Sequence, residues 1–157
     1  MNHLKPTTAN SCPLTPLTFL DRAATVYGDC TSIVYNNTTF TWTHTHRRCL
    51  QAASSLAALG IGRSDVVSVL AFNVPAMYEL QFAVPMSGAV LNNLNTRLDA
   101  RTISIMLRHS ESKMVFVDIH LQVLAQEAVA RFPPGIRRPV LVLITDIVGA
   151  KGRFTEN

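Results

Sequence analysis

The sequence predicts an α/β fold: part of a doubly wound parallel sheet with helices on both faces, preceded by a helix-hairpin-helix unit. Three observations carry this expectation. From Val66 onward, unbroken apolar runs recur between segments of helical periodicity, the pattern of parallel strands buried on both faces. Ahead of them, two short runs rich in β-branched and aromatic residues flank Asn36-Asn37, a hairpin pattern. The chain of 157 residues is 48% hydrophobic and 15% charged, which excludes disorder and leaves little polar surface for a body of this size.

The elements follow in order. Residues 1–13 form a polar lead-in, and Thr15-Pro16 opens a helix with Leu20, Ala23, Ala24 and Tyr27 on one face and Gly28 as its stop. Strands are expected over Ser32 to Tyr35 and Thr38 to Trp42, joined by the asparagine pair, whose tolerance of positive φ suits a two-residue turn. A helix from Thr43 to Leu59 places Cys49, Ala52, Ala53, Leu56 and Ala57 in a stripe, with Gly60 just past its end. Strands Val66 to Phe72, Ala89 to Leu94, Met114 to Asp118 and Val140 to Thr145 then alternate with helices from Pro75, over Asp99 to His109 and over Ile119 to Phe132. After the last strand, Ile147 to Asn157 offers no apolar face for a covering helix.

Charge excludes some function classes. The net charge of +4 comes from 11 Arg and 3 Lys that are scattered, with no basic stripe of the kind that tracks phosphates, so no nucleic acid partner is expected. Cys12, Cys30 and Cys49 are odd in number and too far apart for a CxxC site, which suits a reducing compartment. The first residues carry no apolar h-region, so secretion is not expected and the two sequons in Asn36-Asn37-Thr38-Thr39 read as turn residues. From Val66 to Leu91 the only formal charge is Glu79, yet Asn73, Pro75, Gln81 and Pro85 argue for a buried strand, loop and helix rather than a membrane span.

Chemistry-bearing residues are sparse. Gly60-Ile61-Gly62 is the sole GxG and follows a helix rather than a strand, so it reads as a helix stop and not a phosphate cradle. His44 and His46, two apart on a helix, diverge, and with Cys49 they lack a fourth ligand for zinc. Ser54-Ser55 lie mid-helix, and Ser87-Gly88 has no GxSxG elbow. Asp118 and Asn95-Thr96-Arg97 follow strands, where open α/β sheets present ligand groups, but caps and turns use the same residues there. An independent small α/β enzyme would need a site made of Asn95, Arg97, Asp118 and His120, and no nucleophile or phosphate loop accompanies them.

The stretch Leu91-Asn92-Asn93-Leu94-Asn95-Thr96-Arg97-Leu98-Asp99-Ala100 is followed by Leu107 to Lys113 and by Val115-Phe116-Val117-Asp118. Together these strongly resemble the adenylate-forming acyl-CoA synthetases, and most of all the plant acyl-activating enzymes that include short-chain and benzoate-type CoA ligases. Phe40-Thr41-Trp42, Leu59-Gly60-Ile61, Asp65-Val66-Val67, Asn73, Pro75 and Ser87-Gly88-Ala89-Val90 support the likeness in the same order. Ser64 and Ser87 stand where such relatives often carry Gly or Ala.

The resemblance covers residues 14–146 and implies a partial N-terminal domain of an AMP-dependent ligase, with 147–157 a tail unlike the family and the whole a truncated product. For an intact relative it implies formation of an acyl-adenylate from ATP and a small carboxylic acid, then transfer to CoA, with magnesium balancing phosphate charge. The phosphate loop, adenine motif, ribose carboxylate and C-terminal lysine of the family have no matching positions here, so no catalytic, cofactor-binding or metal residue is carried over. A fragment inactive alone is therefore expected. The alternative is a binding module that docks on a full-length ligase or other partner through the uncovered sheet. The resemblance implies fatty acid metabolism in the cytosol or peroxisome, and the ending Thr155-Glu156-Asn157 is not an S-K-L address.

Overall fold

A computed structural model describes Ser11 and residues 15–145; the rest of the lead-in and the tail 147–157 lie outside the described residues. Helix α1 spans Pro16–Val26. Thr15 caps it, its hydroxyl accepting from the Thr18 N–H at 3.3 Å, and Pro16 supplies a first-turn position that needs no N–H donor. Leu20 is buried, but Tyr27, expected on the apolar face, is 59% exposed. The helix closes at Val26, so Tyr27 becomes the C-cap and leaves the helical face.

Strands β1 (Thr31–Tyr35) and β2 (Thr38–Thr41) pair antiparallel across the asparagine turn, where Asn36 alone of the two adopts positive φ, at 52°. Trp42 belongs to helix α2 (Trp42–Ala58) rather than to the strand, because the Thr41 hydroxyl accepts from the His44 N–H at 3.2 Å and caps the helix there. Cys49, Ala53 and Leu56 face the core as expected and Ala57 is exposed. Gly60, with φ of 79°, lets the Gly60 N–H reach the Ala57 carbonyl and the Ile61 N–H reach the Leu56 carbonyl, both at 3.0 Å. This paired closure is the Schellman motif, completed by Ile61 packing in the same core as Leu56.

Strands β3 (Val66–Leu70), β4 (Val90–Asn93), β5 (Met114–Asp118) and β6 (Val140–Ile144) form one sheet in the order β4-β3-β5-β6, every pair parallel. Helices α3 (Pro75–Met86), α4 (Ala100–His109) and α5 (Gln122–Ala130) make the connections. The chain leaves β3 toward β4 and then reverses past it to β5 and β6, the doubly wound arrangement expected. Alternation along the strands sorts side chains into two cores. Val67, Val69 and Met114 pack with Leu80 and Val84 of α3 and Leu56 of α2. Leu70, Val115 and Val117 pack with Ile103 and Leu107 of α4 and Ala125 and Ala128 of α5.

The helix expected from Ile119 to Phe132 begins instead with a 3-10 turn, Ile119–Leu121, and α5 runs from Gln122. Asp118 causes the break: its Oδ1 accepts from the His120 N–H at 3.0 Å and tightens the first turn. Within the sheet, Ser68 on β3 sits beside Asn92 on β4. The Ser68 and Ser112 hydroxyls lie 2.5 Å apart, those of Ser110 and Ser112 2.7 Å apart, and the Asn92 amide donates to Ser68 at 2.9 Å and to Ser110 at 3.2 Å. The cluster satisfies polar groups that would otherwise be costly beneath α4.

Candidate functional site

Among the described residues, the candidates singled out in sequence bond to one another only as near neighbours in the chain, Asn95 with Arg97 and Asp118 with His120. Asp118 is 5% exposed and serves as the cap of the 3-10 turn. Asn95 Oδ1 accepts from the Arg97 N–H at 2.9 Å, an Asx turn, and the Arg97 side chain is exposed. His120 is exposed. On α2, His44 packs edge-on against the Phe40 ring with centroids 4.9 Å apart, while His46 Nε2 lies 2.8 Å from Asp21 Oδ1 on α1. Cys49 points into the core, its thiol donating to the Glu79 carbonyl at 3.6 Å. Among the described residues no three His, Cys, Asp or Glu side chains are grouped to hold a metal ion. Ser54 and Ser55 are exposed on α2, and the Ser87 hydroxyl donates to the Val84 carbonyl at 2.7 Å at the end of α3.

A concavity lies elsewhere. A cavity of about 430 Å³ opens between the hairpin, α2, α3 and the α3-facing side of β5 and β6, with Phe40, Val74, Leu80, Phe116, Val142 and Ile144 among its walls. Its charged feature is the pair of Arg48 and Glu79. The guanidinium engages the carboxylate through Nε to Oε1 and through Nη2 to Oε2, the latter at 3.0 Å, and lies 5.4 Å from the centre of the Phe40 ring. The bond to Glu79 holds the Arg48 guanidinium above its ordinary pKa against the opposing effect of burial. Burial, with the Glu79 charge adding to it, pushes the neighbouring Cys49 thiol up to about 12. The wall is thus mostly apolar, its polar parts being Tyr35, Thr38, Thr145 and one internally neutralised ion pair.

Sequence reasoning missed this arrangement, although Glu79 had stood out as the single charge in the apolar stretch from Val66 to Leu91. Such a charge implies a partner, since an unpaired buried carboxylate is costly. The spacing along one chain does not say that the partner is Arg48, on a different helix.

Glycine placement bears on phosphate binding. Gly28, Gly60, Gly62, Gly88 and Gly135 all lie in connections that run from a helix to a strand. A phosphate cradle uses the opposite connection, from a strand into a helix N-terminus.

The fold is that of the N-terminal region of solved CoA ligases. The chain belongs to the AMP-binding enzyme family, whose sequence pattern matches residues 20–153, reaching beyond residue 146. It is 64% identical over 147 residues to the Arabidopsis thaliana protein named probable acyl-activating enzyme 5, peroxisomal, covering 93% of this chain and 26% of that one. It is 63% identical over 146 residues to the 2-methylpropanoate–CoA ligase of Humulus lupulus, covering 93% and 26%. Among solved structures it resembles the N-terminal domain of FACL13 from Mycobacterium tuberculosis, with TM-score 0.73, 27% identity, and 80% and 33% of the two chains covered. The chain thus spans about a quarter of the length of the curated relatives it matches.

Proposed function

We propose that this chain is the N-terminal scaffold portion of an AMP-forming carboxylate–CoA ligase and does not form acyl-adenylates by itself. The whole reaction is carboxylic acid, ATP and CoA to acyl-CoA, AMP and pyrophosphate, with magnesium as the phosphate counterion. The observation that carries the reading is the placement of the glycines. Within the portion that matches the relatives, every described glycine lies between a helix and the next strand, so the described backbone offers no cradle for the triphosphate. A short branched acid is the substrate to try first, since one relative is named for 2-methylpropanoate. Of the cytosolic and peroxisomal locations, the name of another relative favours the peroxisomal one.

The test is pyrophosphate release from ATP with 2-methylpropanoate and magnesium, followed by thioester formation with CoA. The purified chain should give neither, and pyrophosphate release above the no-acid control would overturn the reading. A chimera in which this chain replaces the matched quarter of the 2-methylpropanoate–CoA ligase should form the thioester. A second reading, a docking module, is favoured by the open sheet face below α2 and α3.

A further inference from the structure

The two faces of β5 are sealed unequally. Val115 and Val117, directed at α4 and α5, are 1% and 0% exposed, whereas Phe116 between them is only partly buried and floors the cavity, with Val142 and Ile144 of β6 beside it. Leaving part of an inner strand open on one face is unusual in a parallel sheet, whose strands are ordinarily covered on both sides.

The topology says what does not close the gap. Moving from β3 to β5 and β6, the connecting helices α4 and α5 lie on the opposite face. Right-handed crossovers are nearly universal, so a further crossover to a strand beside β6 would lay its helix on the α4 and α5 side again. No element among the described residues covers the floor of the cavity, and the topology leaves that role to a separate layer. The cavity lining is mostly apolar, with the hydroxyl residues Tyr35, Thr38 and Thr145 besides, and its one ion pair is neutralised internally, so the covering surface needs no charge of its own. Relatives carry nearly three quarters of their length outside the matched portion, enough to supply that layer.

We infer that the open floor formed by Phe116, Val142 and Ile144 is a docking surface for an apolar face of the remaining part of a family ligase chain, and that it binds that part in trans. This rests on the scaffold reading above and specifies the partner of the docking alternative. The interface centres on β5 and β6, bounded by Phe40 of the hairpin and by Val74 and Leu80 at α3.

The experiment is co-expression of the full chain with the 2-methylpropanoate–CoA ligase lacking its matched N-terminal quarter. Recovery of the pair on an affinity tag is read together with thioester formation. The unaltered chain should co-purify with the partner. Val142→Asp and the milder Ile144→Ser should each lower recovery at least tenfold, with the helical circular dichroism of the chain retained. Val123→Asp, at an exposed position on α5, should leave recovery unchanged.

Recovery unaffected by either floor substitution, in variants that remain folded, would overturn the inference. A dimer of the chain that Val142→Asp dissolves, with no capture of the partner, would assign the surface to a second copy and also overturn it. Capture seen only after deletion of residues 146–157 would place the chain's own tail in the cavity, with the same consequence. A chimera that makes thioester while the separate pieces fail to associate would overturn docking in trans and leave the scaffold reading standing. An inactive, folded chimera would count against the scaffold reading itself.

Discussion

Arg48 and Glu79 lock α2 to α3 across the cavity wall, two nitrogens of the guanidinium facing two oxygens of the carboxylate. The partners are unequally placed: the Glu79 side chain is 8% exposed and that of Arg48 36%. Removing the arginine leaves a buried carboxylate with no counterion, whereas removing the glutamate leaves a cation that reaches water. Arg48→Leu should therefore destabilise by about 3 kcal/mol or more, Glu79→Leu by clearly less, and the double replacement should recover most of the loss. Urea unfolding of the four proteins measures this, and equal losses for the two single variants would contradict it.

Three backbone positions should respond in different ways. Gly60 and Ser64 both sit at positive φ, 79° and 68°. A Cβ added at Gly60 meets nothing within 4 Å, so Gly60→Ala carries only the left-handed strain, about 1 kcal/mol. At Ser64 that strain is already present, and Ser64→Gly should stabilise by about 0.5 kcal/mol once the greater freedom of unfolded glycine is subtracted. Gly28 is different in kind: a Cβ there would lie 2.6 Å from Thr43 Oγ1 and 2.8 Å from the Ala24 carbonyl oxygen. The hydroxyl can rotate away and the helix carbonyl cannot, so Gly28→Ala should be the most damaging of the three. Thermal melts rank them.

The fold was largely legible because its signals are local. Gly60 stops α2, Asn36 turns the hairpin, and the apolar runs of β3, β5 and β6 stand out without reference to the rest of the chain. The errors lie where a single side-chain bond decides a boundary. Trp42 has strand character, yet the Thr41 hydroxyl captures the His44 N–H and starts the helix early. Asp118 similarly converts the first turn of an expected helix into a 3-10 turn. The cavity was not legible at all, since its walls come from the hairpin, two helices and two strands far apart in sequence. Ser64 is an intermediate case: its place in a family position for small residues was visible, and the reason, a left-handed backbone, is geometric.

Acid sensitivity should come from carboxylates whose pKa is depressed in the fold. Asp65 accepts from Lys113 Nζ at 2.5 Å and from the Gly62 N–H at 3.0 Å, and these contacts, Lys113 foremost, hold it below its ordinary value. Asp99 is lowered chiefly by the Thr102 N–H at 2.7 Å, which it caps. A depressed folded pKa contributes stability above the unfolded value, near 4, and that contribution is lost as pH falls through the folded value. The melting temperature should thus decline below about pH 4 to 5. Asp65→Asn and Asp99→Asn should each flatten that decline while changing the neutral-pH slope little, and an unaltered acid limb in both would refute the assignment.

The thiols should separate by environment. Cys30 is exposed, whereas Cys49 is fully buried between α2 and α3 with its pKa pushed up to about 12, so almost none of it is thiolate at neutral or mildly alkaline pH. Both access and ionisation then protect it, because the thiolate is the reacting species. In a Cys12→Ser background, a maleimide at pH 7.5 should label Cys30 within minutes and leave Cys49 untouched until urea is added. Since Cys49 donates to the carbonyl of Glu79, its labelling rate also reports the integrity of the α2–α3 contact. Arg48→Leu should accelerate the labelling of Cys49 at subdenaturing urea, whereas Val123→Asp, remote on α5, should leave the rate unchanged. Rapid labelling of Cys49 in the native chain would mean that the wall of the cavity opens without unfolding, and the ion pair could not be the lock between α2 and α3.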